Sequence, residues 1–307
     1  QRQLLALNIF CDLIQEAINK SLFDSNSTKI SEDVCGLDAG GSGATAYSQA
    51  IGLYLSFAID RLAMTGNKLV RWNGVGEKAQ HCFGRQALPM LWDFAETNFL
   101  GNATGSLSSG VFYSYDPIPY LPTNSLGVSK QTDAKTQKLS TGKVISTDPP
   151  YYDNVPYADL SDFFYVWQRR SLKLIFPSLY ATLAVPKTDE LVAATHRHGG
   201  REQAETFFVN GMTCTIHNLS EQAHPAFPVT IYYAFKQSDS KSDEGISSTG
   251  WETFLEAVLR ADFAITGTWP MSTEMRTRQR AMDSNALASS IVLVCRKRPA
   301  DAPTISR

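Results

Sequence analysis

The chain has 307 residues, 43% of them hydrophobic and 19% charged, with a formal net charge of −2. That is enough apolar material to bury a sizeable core, either as one large domain or as one domain with an appendage. The near-neutral charge excludes bulk attraction to nucleic acid, and no apolar run approaches the ~18–20 residues of a membrane span, so a polyanion would have to be met by local basic patches and no membrane partner is expected.

The elements begin with a helix over about 2–22, where Leu4, Leu5, Ile9, Leu13, Ile14, Ala17 and Ile18 recur at helical spacing. The first residues already carry this pattern, with no methionine and no signal peptide, so a preceding region of the same protein is expected as a partner. A polar stretch, "FDSNSTKISED", leads to a glycine-rich turn at 38–43 and a second helix over about 44–64. "GRQALPMLWDFAETNFLG" predicts a third helix, interrupted near Pro89. Residues 101–141, rich in Ser, Gly, Thr and Pro, predict a mobile loop with short strands around "GVFYSY".

After Lys143 the pattern changes. "KVIST" is a short buried strand ending in "DPPYY"; a helix follows across "DLSDFFYVWQRRSLKLIF", and a polar loop with "THRHGG" leads into another helix over about 201–221. "PVTIYYAFK" is the clearest strand, "GWETFLEAVLRAD" a helix, and "FAITGTWPM" and "ASSIVLVCRK" two final strands. This alternation predicts an α/β fold, and the last two strands, joined without a helix, predict an antiparallel pair at one edge. The expected organisation is a helical segment at 1–100, the loop at 101–141, an α/β subdomain at 142–298 and a tail at 299–307. The five cysteines (Cys11, Cys35, Cys82, Cys214, Cys295) are scattered with no CxxC pair, which predicts reduced thiols, a cytoplasmic location and no metal centre.

Ligand sites in open α/β sheets lie beyond the carboxyl ends of the strands, where Asp148 is expected. Pro149 and Pro150 fix φ at successive positions and remove two backbone donors, leaving their carbonyls as outward acceptors. A carboxylate beside such a carbonyl is a two-acceptor clamp for an NH2 group, and Tyr151 can stack on the flat ring that carries it. An exocyclic base amine is a poor nucleophile because its lone pair is delocalised into the ring. Acceptors on both N–H bonds pull the nitrogen toward tetrahedral geometry, and an electrophilic methyl placed in line then needs little beyond positioning. The base must leave the helix stack first.

"DPPY" after a strand resembles the signature of amino-group DNA methyltransferases. "TDPPYYDNVPYADLSDFFYVW", "FGRQALPMLWDFAE", "STGWETFLEAVL", "TGTWPM" and "SNALASSIVLVCR" together resemble the carboxyl-terminal part of the prokaryotic adenine-specific DNA methylases that carry an N-terminal domain of unknown function. The resemblance covers nearly the whole chain. It implies part of a Rossmann-like class I methyltransferase sheet, S-adenosylmethionine as cofactor, DNA as substrate, adenine N6 as target and 142–298 as the catalytic subdomain. It implies catalytic roles for Asp148, Pro149, Pro150 and Tyr151. Cytosine N4 suits the same two acceptors, and a non-catalytic domain that binds nucleic acid or a partner is the alternative from another class.

A cofactor loop is harder to find. The one candidate is Asp38, Gly40, Gly41 and Gly43, whose glycines would let backbone approach the methionine portion of the cofactor. The preceding "TKISEDVCGL" is a weak strand, and Asp60 falls inside the second helix rather than closing a second strand. The alternative is a turn capping that helix, and the resemblance places the cofactor loop upstream. Around the motif, Asn154 and Tyr157 are candidate base contacts or else a turn before the helix, with Asp159 or Ser161 as its cap; Asn285, with Ser284, is a candidate for shaping the same pocket. The aromatic run Phe163, Phe164, Tyr165 and Trp167 predicts core packing. His196 and His198 lack partners at metal-ligand spacing and predict a solvated loop, where Arg197 and Arg201 are candidates for DNA phosphate contact. Arg276, Arg278 and Arg280 alternate in a long polar loop and are candidates for the same role.

Overall fold

The computed structural model describes residues 1–28, 30–31, 33–84, 88, 90–122, 124, 127–152, 155–233, 249–272, 289–299 and 301–303. The fold is α/β, and the chain divides into two compact units, each built from two stretches: residues 1–129 with 157–187, and 130–156 with 188–307.

The first unit is helical. α1 (Arg2–Asn26) and α2 (Ala44–Thr65) fall where the apolar periodicity places them. A two-stranded antiparallel hairpin follows, β1 (Arg71–Asn73) and β2 (Lys78–Gln80), each too short to leave a period-2 signature. The helix expected over 84–101 is absent among the described residues of that span. Ala95 instead donates its N–H to the Val70 carbonyl at 2.8 Å, and Phe99 packs its ring edge-on against Phe10, with centroids 6.0 Å apart. Short strands expected around "GVFYSY" are corrected too: the segment is α3 (Leu107–Tyr115). Ser106 caps it by accepting the Ser109 N–H at 3.3 Å, and that local cap prevails over the aromatic composition.

α4 (Tyr157–Leu172) also belongs to this unit, which corrects the expected 142–298 boundary. Its Phe163, Tyr165, Trp167 and Leu172 pack with Leu7, Ile14 and Ile18 of α1 and with Ile59 and Leu62 of α2, so its apolar face is spent on helices. Arg170 adds a two-pronged ion pair to Asp12 of α1 at 2.9 and 2.8 Å. Core packing is thus the observed role of the aromatic run, with Phe163 and Phe164 both in ring contact with Phe83.

Within this helical core Asp60 is a costly residue. Its Oδ2 accepts from Gln168 Nε2 at 2.5 Å, while Oδ1 is buried without a partner among the described residues. Burial pushes its carboxyl up to about 7 against the opposing effect of the Gln168 hydrogen bond. The unfolded carboxyl releases its proton near pH ~4. Between about pH 4 and 7 the unfolded state therefore holds fewer protons than the folded one, and stability falls as pH rises. Asp60→Asn keeps an acceptor for Gln168. It is expected to flatten that slope and raise stability by roughly 2–3 kcal/mol above pH ~7.5, read by urea unfolding across the range.

The second unit holds the sheet. β3 (Ser146–Thr147), α5 (Arg201–Gln222), β4 (Val229–Tyr233), α6 (Thr249–Arg260), β5 (Phe263–Ser272) and β6 (Ser289–Lys297) follow in chain order. The strand order is β3-β4-β6-β5, with β3 parallel to β4 and both β4–β6 and β6–β5 antiparallel. The last two strands pair antiparallel as expected, with β5 outermost and β6 inserted beside β4. One face of β4 is fully buried: Val229, Ile231 and Tyr233 lie opposite Cys295, Leu293 and Ile291 of β6 in register. That face packs on Phe208, Met212 and Ile216 of α5 and on Phe254, Ala257 and Val258 of α6. Among the described residues no helix is long and apolar enough to cross a membrane, and no group of three His, Cys, Asp or Glu side chains could hold a metal ion.

Candidate active site

β3 is short because only Ser146 and Thr147 pair in register with Thr230 and Ile231. Pairing stops where the prolines begin, since neither Pro149 nor Pro150 has an N–H to add to a ladder. Asp148 is thereby delivered at the carboxyl end of a parallel strand, exposed to solvent. Among the described residues no donor reaches its carboxylate, and no backbone N–H reaches the Pro149 carbonyl. Both acceptors remain available to a ligand.

The two tyrosines behind them are half-buried and anchor the turn. Tyr151 meets Tyr233, the last described residue of β4, edge-on with ring centroids 5.4 Å apart. Tyr152 meets Phe208 of α5 at 5.2 Å, and its carbonyl accepts the Ala193 N–H at 2.8 Å. Tyr233 in turn stacks on Phe254 at 4.0 Å with the planes 12° apart, and Trp251 of α6 flanks it at 5.6 Å. Tyr233 and Trp251 were not singled out by sequence. Their signal is weak because each lies on a different element and looks like ordinary strand or helix filling.

Other expected site residues fall out differently. Tyr157 is exposed and opens α4 in the helical unit, and Ser161 donates its hydroxyl to the Tyr157 carbonyl at 2.7 Å. Arg197 turns inward: its Nη1 donates to Glu190 Oε2 at 2.5 Å with both side chains nearly buried, which corrects its expected phosphate role. Arg201 is exposed at the first position of α5. His198 stacks on Phe207 with centroids 4.0 Å apart. Asn154, Asn285, Ser284, Arg276, Arg278 and Arg280 lie outside the described residues.

No protein-family model, curated protein or solved structure matches this chain.

The glycine-rich segment does not fit a methyl-donor cofactor. No strand precedes it among the described residues; Leu37–Ala39 form a 3-10 turn with exposed Asp38, closed by Gly40 at φ 80°. The amides that would face a ligand are taken inside the loop. Gly41 N–H donates to the Gly36 carbonyl at 2.9 Å, Ser42 N–H to Asp33 Oδ2 at 3.2 Å and Ala44 N–H to the Ser31 carbonyl at 3.1 Å. The N–H groups of Cys35, Ser42 and Gly43 hold the Asp33 carboxyl below the usual carboxylate range, so the loop already encloses its own anion. The glycines serve close approach of backbone to backbone: a Cβ on Gly41 would lie 2.0 Å from the Cys35 carbonyl oxygen, and one on Gly43 2.7 Å from that of Ser31. Gly41→Ala is accordingly expected to lower stability by about 1–3 kcal/mol, measured as a shift in urea midpoint at constant slope.

Proposed function

We propose that this chain recognises the exocyclic amine of an extruded DNA base for S-adenosylmethionine-dependent methyl transfer, with adenine N6 as the target. The observation that carries the reading is Asp148: an exposed carboxylate with no described donor, next to a proline carbonyl, at the carboxyl end of a strand in a parallel pair. The order β3-β4-β6-β5, with its antiparallel terminal pair, supports placing these residues in part of a Rossmann-like class I methyltransferase sheet.

In this reading the donor supplies the methyl group, and the chain's own residues arrange the acceptor. Asp148 and the Pro149 carbonyl accept the two amine hydrogens, which turns the nitrogen lone pair out of the ring plane. Asp148 then takes the proton released as nitrogen forms its fourth bond. Tyr151, steadied by Tyr233, offers a ring face to the flat base, and exposed Arg201 remains a candidate for the phosphate backbone. None of the described residues is assigned to hold the donor, since the amides of Gly41, Ser42 and Ala44 are taken by Gly36, Asp33 and Ser31.

That arrangement favours a second reading, in which the chain keeps the fold and binds nucleic acid without catalysis. The two separate in one assay: the full-length protein is incubated with DNA and S-adenosylmethionine, and the nucleosides are resolved by mass spectrometry. N6-methyladenine supports the proposal, and N4-methylcytosine alone moves the target to the other amine. DNA retention without either product leaves the non-catalytic reading standing.

A further inference from the structure

The helical unit contains a cavity of about 390 Å³ that the motif chemistry does not use. The last turns of α2, the β1–β2 hairpin and the start of α3 line it, contributing Arg61, Arg71, Lys78, Thr104, Ser109 and Tyr113. Three basic side chains thus converge on one concavity, and no carboxylate lines it. Among the described residues none of the three is engaged by an acidic side chain, unlike Arg2, Arg170, Arg197 and Arg260, which all are. Like charges gathered without counter-charges repel one another, so their convergence points to an anion supplied from outside.

Neighbouring groups set the anion's chemistry. The Arg61 guanidinium lies 4.2 Å above the Tyr113 ring, which fixes it against the cavity wall. The carbonyls that end α2 would be negative toward a ligand, but protein donors already occupy them. Asn67 Nδ2 donates to Ala63 O at 2.7 Å, Cys82 N–H to Met64 O at 3.0 Å and Thr97 Oγ1 to Thr65 O at 3.1 Å. The hydroxyls of Thr104 and Ser109 add donors that suit phosphate oxygens. The volume falls in the range of about 300–1,000 Å³ usual for small-molecule sites, and the half-exposed Tyr113 ring gives a flat apolar surface beside the cations. A phosphate joined to a planar ring satisfies both features.

We infer that this cavity is a nucleotide-phosphate site, formed wholly within the helical unit and independent of the methyl-transfer reading. The same chemistry reaches it from two sources, a free nucleotide or one nucleotide of a single strand.

The test is calorimetric binding at low salt to the full-length protein, with adenosine 5′-monophosphate, adenosine and a short oligodeoxyadenylate as probes. The monophosphate is expected to bind at least ~10-fold more tightly than adenosine, and Arg71→Ala/Lys78→Ala to weaken it by at least another ~10-fold. Both side chains are exposed, so the melting temperature should not move; should the double variant fail to fold, Lys78→Gln alone carries the test. The charge-preserving Arg71→Lys/Lys78→Arg is expected to retain binding. Displacement of the monophosphate by the oligonucleotide identifies a strand as the source, and its failure to displace identifies the free nucleotide. Absence of monophosphate binding, equal affinity for adenosine, or unchanged affinity in the alanine variant overturns the inference.

Discussion

Asp148→Ala in the full-length protein is expected to cut methyl transfer by about 100- to 10,000-fold while leaving the fold in place. Two roles are lost together, an acceptor that orients the amine and the base that takes its proton, and the range reflects what each is worth alone in characterised enzymes. The fold is spared because the side chain is exposed and takes no hydrogen bond from a described residue, so the stability change should stay within about 0.5 kcal/mol. Asp148→Asn keeps one acceptor oxygen but no basic one. It should retain base affinity better than it retains rate, which a purely structural role would not produce. Single-turnover transfer and gel retention, run side by side, read both quantities. Normal methylation by the alanine variant would eliminate the clamp.

The second large effect is structural. Phe254→Ala is expected to lower stability by about 3–5 kcal/mol, read from the urea midpoint at unchanged slope. Phe254 is fully buried, stacks on Tyr233, and sits where α6 meets the buried face of β4, so little can collapse into the space it leaves. The loss should also reach the candidate site. Tyr233 is held between Phe254 and the Tyr151 edge, and freeing one side loosens the ring that steadies the motif. Phe254→Leu, which fills most of the volume, should cost substantially less; equal losses for the two variants would show that ring stacking, not volume, dominates.

The legible parts of this fold were those with long periodic signals. α1, α2, α5 and α6 carry apolar residues at helical spacing, and β4 alternates cleanly along Val229–Tyr233. The three-residue strands of the hairpin are too short to show any period, and α3 carried a strand-like composition that a single cap at Ser106 outweighed. The helix expected over 84–101 fails because its apolar residues serve an irregular segment: Phe99 is buried while Met90 and Trp92 stand exposed. Contiguity misled the domain boundaries, since α4 follows the motif in sequence but satisfies its apolar face on α1 and α2. At the site, Asp148 to Tyr151 could be placed because strand, prolines and carboxylate are adjacent in sequence. The aromatic support from Tyr233 and Trp251 could not, because it is assembled from residues about 80 to 100 positions away. Arg197 looked like a free loop cation only because its partner, Glu190, lies across a turn.

The pairing of Ser146 with Thr230 has a consequence for how this protein is made. β3 cannot find its parallel neighbour until on the order of 80 further residues have been synthesised, and closing so long a loop costs about 4 kcal/mol of chain entropy. The intervening 157–187 stretch, which carries α4, packs on α1 and α2, which have already left the ribosome, so the helical unit can order first and shorten the effective loop. The segment that carries Asp148 would then be among the last to acquire its neighbours. A nascent chain stalled before Val229 should show protease protection in α1, α2 and α4 but none at the motif.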